Sequence, residues 1–199
     1  MDEAVFATRA AVPALSSTLA RALADDPGWI YLFPDPATRV RDMSAMLGLM
    51  VGKAYVDLDA TWMLGDQRAV AAAAVWMPPG RRQVPWSTQL GAAPGLAWLL
   101  KRRTLRGLKL MRAMDQAAPR EPHYYLTLLG VAPEAQGRGL GQRVLTPVLE
   151  VCDATRTLAW LETSNPANHG FYRRLGFVDA AQTSWPGGPT LTFMARTPR

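Results

Sequence analysis

The sequence predicts an α/β protein in which helices cover a mixed β-sheet. Three observations carry that prediction. Tyr124–Val131 and Leu158–Thr163 are continuous apolar runs of strand length, as in strands buried on both faces. Val12–Leu23 and Leu140–Ala154 instead place apolar residues at helical spacing. The elements then recur in the order β-α-α-β-β-α-β-α-β-α-β-β, which favours one layered α/β domain over residues 1–199.

Each element has a local cause. Ala4–Arg9 has strand-forming residues. The helix over Val12–Leu23 ends near Asp25-Asp26-Pro27. Trp29–Phe33 is aromatic and bounded by prolines, and reads as a loop packed on the core. Pro36–Lys53 reads as a helix with Met43, Met46, Leu47 and Met50 along one face. Ala60–Leu64 and Val70–Met77 flank Gly65-Asp66-Gln67, a hairpin signal. Pro78–Gln83 is a loop, and Gly91–Met114 reads as helical with a break near Pro94-Gly95. The helix Leu140–Ala154 contains Pro147, which should bend it. Ala167–Leu175 reads as a helix stopped by Gly176. Two last strands, Val178–Thr183 and Thr190–Ala195, surround the turn Pro186–Pro189.

Composition limits the function classes. A chain of 199 residues that is 49% hydrophobic and 19% charged can bury one real core. No stretch reaches the roughly 18 to 20 apolar residues of a membrane span. The N-terminal segment is acidic before it is apolar, unlike a secretory leader, so a cytoplasmic location is expected. Cys152 is the one cysteine, and His123 and His169 are the only histidines, so a metal site is not expected. The net charge is +6, and between Arg68 and Met114 there are nine basic residues and no acidic one. Such a field attracts polyanions, among them nucleic acid, anionic membranes and phosphorylated cofactors.

The segment Leu128–Gly141, LLGVAPEAQGRGLG, discriminates among these. A strand runs into Pro133, then into Gly137, Gly139 and Gly141, then into a helix. Glycines permit positive φ and close approach of a ligand, and the helix N-terminus offers free N–H groups. Together they make a phosphate cradle, to which Arg138 and Arg143 can add charge. The other reading is a tight strand-to-helix connection. The spacing fits neither a Rossmann fingerprint nor a P-loop.

The stretch Val131–Gly141 resembles motif A of the GCN5-related N-acetyltransferases, with Gln136, Gly139 and Gly141 at the three fixed places of its Gln/Arg-x-x-Gly-x-Gly/Ala signature. Leu161–Phe177 resembles motif B, whose pattern Asn-x-x-x-x-Phe-Tyr-x-x-x-Gly-Phe is matched in its Phe171-Tyr172 and Gly176-Phe177 positions. The two blocks, in the right order, cover about a quarter of the chain. The resemblance implies a mixed, mostly antiparallel twisted sheet of six to seven strands, splayed between strands 4 and 5. It also implies acetyl-CoA as the acyl donor, lying in that opening. Backbone groups of Leu129, Gly130 and Val131 would pair with its pantetheine arm, with the Leu129 N–H on the thioester carbonyl. The amides of Gln136, Gly137, Arg138, Gly139, Leu140, Gly141 and Gln142 would hold the pyrophosphate. Asn168 would contact the pantetheine region, with Asn165 as a neighbouring candidate.

Tyr172 matches the family's general acid for the leaving thiolate, a suitable role for a phenol of pKa about 10. The other reading is an aromatic packing its helix on the sheet. Glu162 is a lone acid in the apolar strand Ala159-Trp160-Leu161-Glu162, sharing a face with Trp160. Burial would raise its pKa toward that of a useful base, and a structural ion pair with an arginine is the other reading. His123 is a second base candidate. Cys152 reads as a buried small residue and not a nucleophile.

Residues 98–112 form a basic amphipathic stretch with Leu100, Leu105, Leu108 and Met111 on one side. It reads as a solvated basic face over a packed apolar one. Surface contact with a membrane, contact with nucleic acid and a wall of the acceptor pocket are the alternatives. Trp29, Tyr31, Phe33, Trp76 and Trp86 offer either core packing or stacking surface for an acceptor. The expected activity is acetyl transfer to a primary amine of a small molecule, such as a puromycin-like nucleoside antibiotic, by a monomer or homodimer without a nucleic-acid partner. A non-catalytic CoA-binding module, acetylation of a protein amine and a DNA-binding regulator are the rivals.

Overall fold

A computed structural model describes residues 3–80 and 104–199. Its seven strands form one sheet in the order β1-β2-β3-β4-β5-β7-β6, where β1 is Val5–Phe6, β2 Thr61–Gly65, β3 Val70–Met77, β4 His123–Val131, β5 Leu158–Thr163, β6 Val178–Thr183 and β7 Leu191–Arg196. Only β4 and β5 are parallel; all other neighbours are antiparallel. The α/β class and the mixed, mostly antiparallel sheet are as expected from the sequence.

The helices are α1 (Val12–Ala22), α2 (Pro27–Leu32), α3 (Arg39–Met50), α4 (Thr104–Ala117), α5 (Leu140–Ala154) and α6 (His169–Arg174). They cover both faces of the sheet. On one face Leu15, Leu19, Phe33, Met43 and Leu47 pack with Met63, Ala73 and Val75. On the other, Val144, Leu145 and Val148 of α5 pack with Ala74, Trp76 and Leu161, joined by Tyr172 and Phe177. Alternation along β3 sends Ala73 and Val75 to the first face and Ala72, Ala74 and Trp76 to the second.

Several expectations need correction. The first strand is two residues long, because a 3₁₀ turn begins at Arg9. Trp29–Phe33 is not a loop: it belongs to α2, where Pro27 takes the first helical position and the Asp26 carboxylate caps the Gly28 N–H at 2.9 Å. The helix expected over Pro36–Lys53 is α-helical from Arg39 to Met50 and continues as a π-helical turn, Val51–Tyr55. Most of the helix expected over Gly91–Met114, with Trp86 and the basic residues Lys101–Arg103, lies outside the described residues. In α4 the packed residues are Leu110, Ala113, Met114 and Ala117. The expected apolar face is not the packed one: among the described residues Leu105, Leu108 and Met111 remain 72%, 56% and 61% exposed.

A fork opens between the two parallel strands. They pair from His123↔Leu158 to Leu126↔Leu161 and no further, although β4 runs on to Val131. The cause lies on the other side of β4. Val75 pairs with Leu128 and Trp76 with Leu126, so Thr127 is an extra residue without an opposite number. Such a bulge bends a strand and increases its twist. It also exchanges the faces. Before it, Leu126 joins the α5-side core; after it, Leu128 joins the α1-side core, and Leu129 turns to the α5 side. The splay expected between strands 4 and 5 is therefore present, with Thr127 at its origin.

Candidate active site

The fork bares one edge of β4, and the register shows which groups it bares. Ala132 donates its N–H to Ala71 at 2.8 Å, and Ala72 pairs with Val131, Ala73 with Gly130 and Ala74 with Leu129. In this ladder the Gly130 pair exchanges bonds with β3, whereas Leu129 and Val131 direct their N–H and C=O groups to the fork. Gly130 has a packing reason to be glycine: an added Cβ would lie 2.9 Å from Leu19 Cδ2 and 3.0 Å from Ala22 Cβ of α1. The Gln136 side chain donates to the Val131 carbonyl at 3.3 Å.

Beyond β4 the loop 136–139 is exposed. Gly137 and Gly139 hold φ of +75° and +74°, and a Cβ on either would meet nothing within 4 Å. Open space beside a left-handed glycine leaves its backbone accessible to a ligand. Gly139 precedes α5 and no side chain caps that helix, so its first N–H groups remain available at the positive end of the dipole. Leu140 is buried in the core, and Gln142 and Arg138 are exposed. At Gly141 a Cβ would press on Phe171 at 3.3 Å, which ties the loop to α6.

Side chains reach the fork from both faces. Glu162 lies on β5 just past the last parallel pair. Its Oε1 accepts a hydrogen bond from the Tyr125 phenol at 2.7 Å. Its Oε2 is buried without a partner among the described residues. Burial pushes the Glu162 carboxyl up to about 7, with a smaller push from the charge of Asp26, while the Tyr125 bond pulls the other way. Among the described residues no arginine pairs with it. Tyr172 is buried on α6, edge-on to Phe171 and Phe177 at 5.2 and 5.9 Å. Its phenol is raised well above the usual value, by burial first and then by Glu162 and Asp26.

The site also contains residues that the sequence did not single out. Asp26, at the start of α2, accepts from the Gly28 N–H and from the Ser164 hydroxyl. Ser164 follows β5, and 138 residues separate it from Asp26. This contact fastens α2 to the mouth of the fork. Tyr55, on the π-helical turn, is raised by burial and by the Glu162 charge. The buried Thr127 hydroxyl of the bulge faces the Tyr55 phenol and pulls the other way. The clue available in sequence was Asp26-Pro27, a helix-start signal.

Other candidates fall elsewhere. His123 begins β4 on the closed side of the fork, and its Nδ1 faces the Glu121 carbonyl at 2.8 Å. Asn165 caps the turn that follows, accepting from the Ala167 N–H at 3.0 Å. Asn168 Nδ2 lies 3.5 Å from Thr163 Oγ1, beside β5. Cys152 is buried, and burial pushes its thiol up to about 12, far from a thiolate nucleophile. Phe33 and Trp76 are core residues, whereas Trp29 and Tyr31 are only half-buried. Tyr31 meets Trp185 edge-on at 6.0 Å, and Arg106 of α4 lies over its ring at 5.0 Å. No group of side chains that could hold a metal occurs among the described residues, and no helix among them is long and apolar enough to cross a membrane.

Comparison with known proteins agrees with this geometry. The model of the acetyltransferase (GNAT) family matches residues 64–177, more than half of the chain and the whole of the fork. The chain belongs to the GNAT acetyltransferase family. An uncharacterized N-acetyltransferase of Schizosaccharomyces pombe is 27% identical over 179 residues, covering 82% of this chain and 69% of the relative. A histone acetyltransferase HPA2 and related acetyltransferase structure from Corynebacterium glutamicum aligns with a TM-score of 0.72 at 22% identity, over 99% of this chain and 96% of that one. A Drosophila melanogaster polyamine N-acetyltransferase has the same fold, with a TM-score of 0.59 at 15% identity over 98% of both chains. Family membership makes this GNAT chain an acyltransferase.

Proposed function

We propose that this GNAT protein transfers an acetyl group from acetyl-CoA to a primary amine of a small molecule, directly within a ternary complex. The observation that carries the proposal is the buried, unpartnered Oε2 of Glu162 at the opening of the fork. A buried carboxylate oxygen without a donor is costly unless a ligand supplies one, and an amine brings N–H groups.

The residues fit acetyl-CoA. Gly137 and Gly139 form a cradle that any Cβ would begin to fill, at a helix end with no side-chain cap. Backbone amides from Gln136 to Gln142 are suited to its pyrophosphate. The bared edge at Leu129 and Val131 suits an extended arm that pairs as a strand does. Asn168 stands beside that path. When bound, acetyl-CoA supplies the activated acyl group.

The chain's own residues then divide the proton work. Glu162 Oε2 accepts a proton from the acceptor amine, which a group titrating near neutrality can do. The Leu129 N–H, aimed into the fork, is placed to stabilise negative charge on the acyl oxygen. The Tyr172 phenol stays protonated at all ordinary pH and can give its proton to the departing sulfur. Glu162 comes from the α1-side face and Tyr172 from the other, so acid and base meet the fork from opposite sides. Half-buried Trp29 and Tyr31 belong to α2, the helix that the Asp26–Ser164 contact ties to the end of β5. The polyamine, agmatine and arylalkylamine N-acetyltransferases with this fold support a small amine acceptor.

The test is thiol release by the purified chain with acetyl-CoA and a panel of amines: puromycin, aminoglycosides, polyamines, arylalkylamines and peptides. Release with one small-amine class is the expected result. Release with peptides alone would move the acceptor to a protein amine. Binding of acetyl-CoA without release for any amine would leave a non-catalytic CoA-binding module and defeat the proposal.

A further inference from the structure

Tyr125 and Glu162 are 37 residues apart and belong to different strands of the fork. Tyr125 precedes the last parallel pair on β4; Glu162 follows it on β5. Both project to the α1 side, where Tyr125 packs with Met114 and Trp185. Their 2.7 Å hydrogen bond therefore crosses the fork at its base. A carboxylate has two oxygens and can rotate about its last bond. A phenol fixed by packing occupies one of them and stops that rotation.

We propose that Tyr125 is a positioning residue for the proton acceptor: its phenol holds Oε1 of Glu162 across the fork, so that Oε2 alone faces the acceptor amine. The inference rests on Glu162 acting as the base and goes beyond it by assigning the two oxygens different tasks. A charge-assisted phenol–carboxylate bond also stabilises the ionised form, so Tyr125 offsets part of the effect of burial. Without that donor the carboxyl would titrate at higher pH and swing between orientations.

Among the described residues, the other titratable groups acting on the pair come from four places in the fold. They are Asp26 before α2, Tyr55 on the π-helical turn, Tyr172 on α6 and Asp115 on α4. None is cationic. Asp26 raises the Glu162 carboxyl, and Glu162 raises each of Tyr55, Tyr125 and Tyr172. Among the described residues the Tyr125 bond is the side-chain influence that favours the Glu162 carboxylate, so its removal has a definite sign.

The experiment is a pH–rate profile of the full-length Tyr125→Phe variant, with an amine that the wild type turns over, beside wild type and Glu162→Gln. The ionisation of the amine itself is common to all profiles. In Tyr125→Phe the acid limb of kcat/KM is expected to move up by roughly one pH unit, with kcat lowered about tenfold and acetyl-CoA binding unchanged. Site-specific 3-fluorotyrosine at position 125 nearly conserves shape and makes the phenol a stronger donor, so it should move the limb down. This second variant keeps the question open to test if the phenylalanine variant folds poorly. A loss of rate in Glu162→Gln with an unmoved limb in both Tyr125 variants would overturn the positioning role and leave the base in place. Wild-type activity in Glu162→Gln would overturn the base, and this inference with it.

Discussion

Two carboxylates, Asp153 at the end of α5 and Glu162 on β5, live by opposite rules. Asp153 closes α5. Both its oxygens are engaged by Arg196 at 2.8 and 2.7 Å, and the Arg199 N–H adds a third bond at 2.8 Å. Arg196 is 5% exposed and also donates to the Leu175 carbonyl. The Arg196 bonds hold the Asp153 carboxyl down to about 2. Glu162 has one phenol on one oxygen and no described partner on the other, and burial pushes it up to about 7. The first is a satisfied joint between α5 and β7. The second keeps bonding capacity in reserve at the one place where the sheet opens. The charge that serves the fold is paired; the charge proposed to serve chemistry is left half-paired.

This contrast can be broken at either end. The largest effect is expected from Glu162→Gln, which keeps the shape and removes the base. Acetyl transfer near pH 7.5 should fall roughly 100- to 1,000-fold, with acetyl-CoA affinity retained, as steady-state kinetics and titration would show. Tyr172→Phe should lower kcat about 100-fold through loss of the proton donor. Substitution at the other carboxylate should harm stability and not chemistry. Asp153→Ala strands a buried guanidinium and is expected to cost about 3 kcal/mol, or roughly 6–12 °C in the unfolding midpoint, while the acid limb of the rate profile stays in place.

Smaller effects come from linkage, with opposite signs at the two sites. Asp153 has a lowered folded pKa, so its contribution to stability is present above the ordinary aspartate value and is lost as pH falls from about 4 to about 2. Denaturant titrations over that range should show a shallower fall for Asp153→Asn. Glu162 has a raised folded pKa, so it destabilises progressively as pH rises from about 4.5 to about 7. Glu162→Gln should therefore be more stable than wild type at pH 8, seen as a higher unfolding midpoint. At pH 4 the two should unfold alike.

Much of the fold was legible because its signals are local. The apolar runs of β4 and β5, the glycine loop between β4 and α5 and the stop at Gly176 each depend on a few consecutive residues. Trp29–Phe33 misled because its aromatic content obscured the helix start at Asp26-Pro27. Leu105, Leu108 and Met111 misled because helical spacing identifies a face without saying what covers it. At the site, Glu162 was legible as a lone acid in an apolar strand. Tyr125, Thr127 and Ser164 were not, because each acquires its meaning from register. Tyr125 meets Glu162 only because the strands part just after Leu126, and they part there only because Thr127 bulges from the β3–β4 ladder.

The central claim is that Glu162 carries the acceptor's proton. The pH dependence of acetyl transfer in wild type and in Glu162→Gln, measured from pH 5.5 to 9 with one amine, tests it most directly. Wild type should rise through an ionisation near pH 7 that the variant lacks, the two sharing only the ionisation of the amine. Superimposable profiles of equal height would contradict the account.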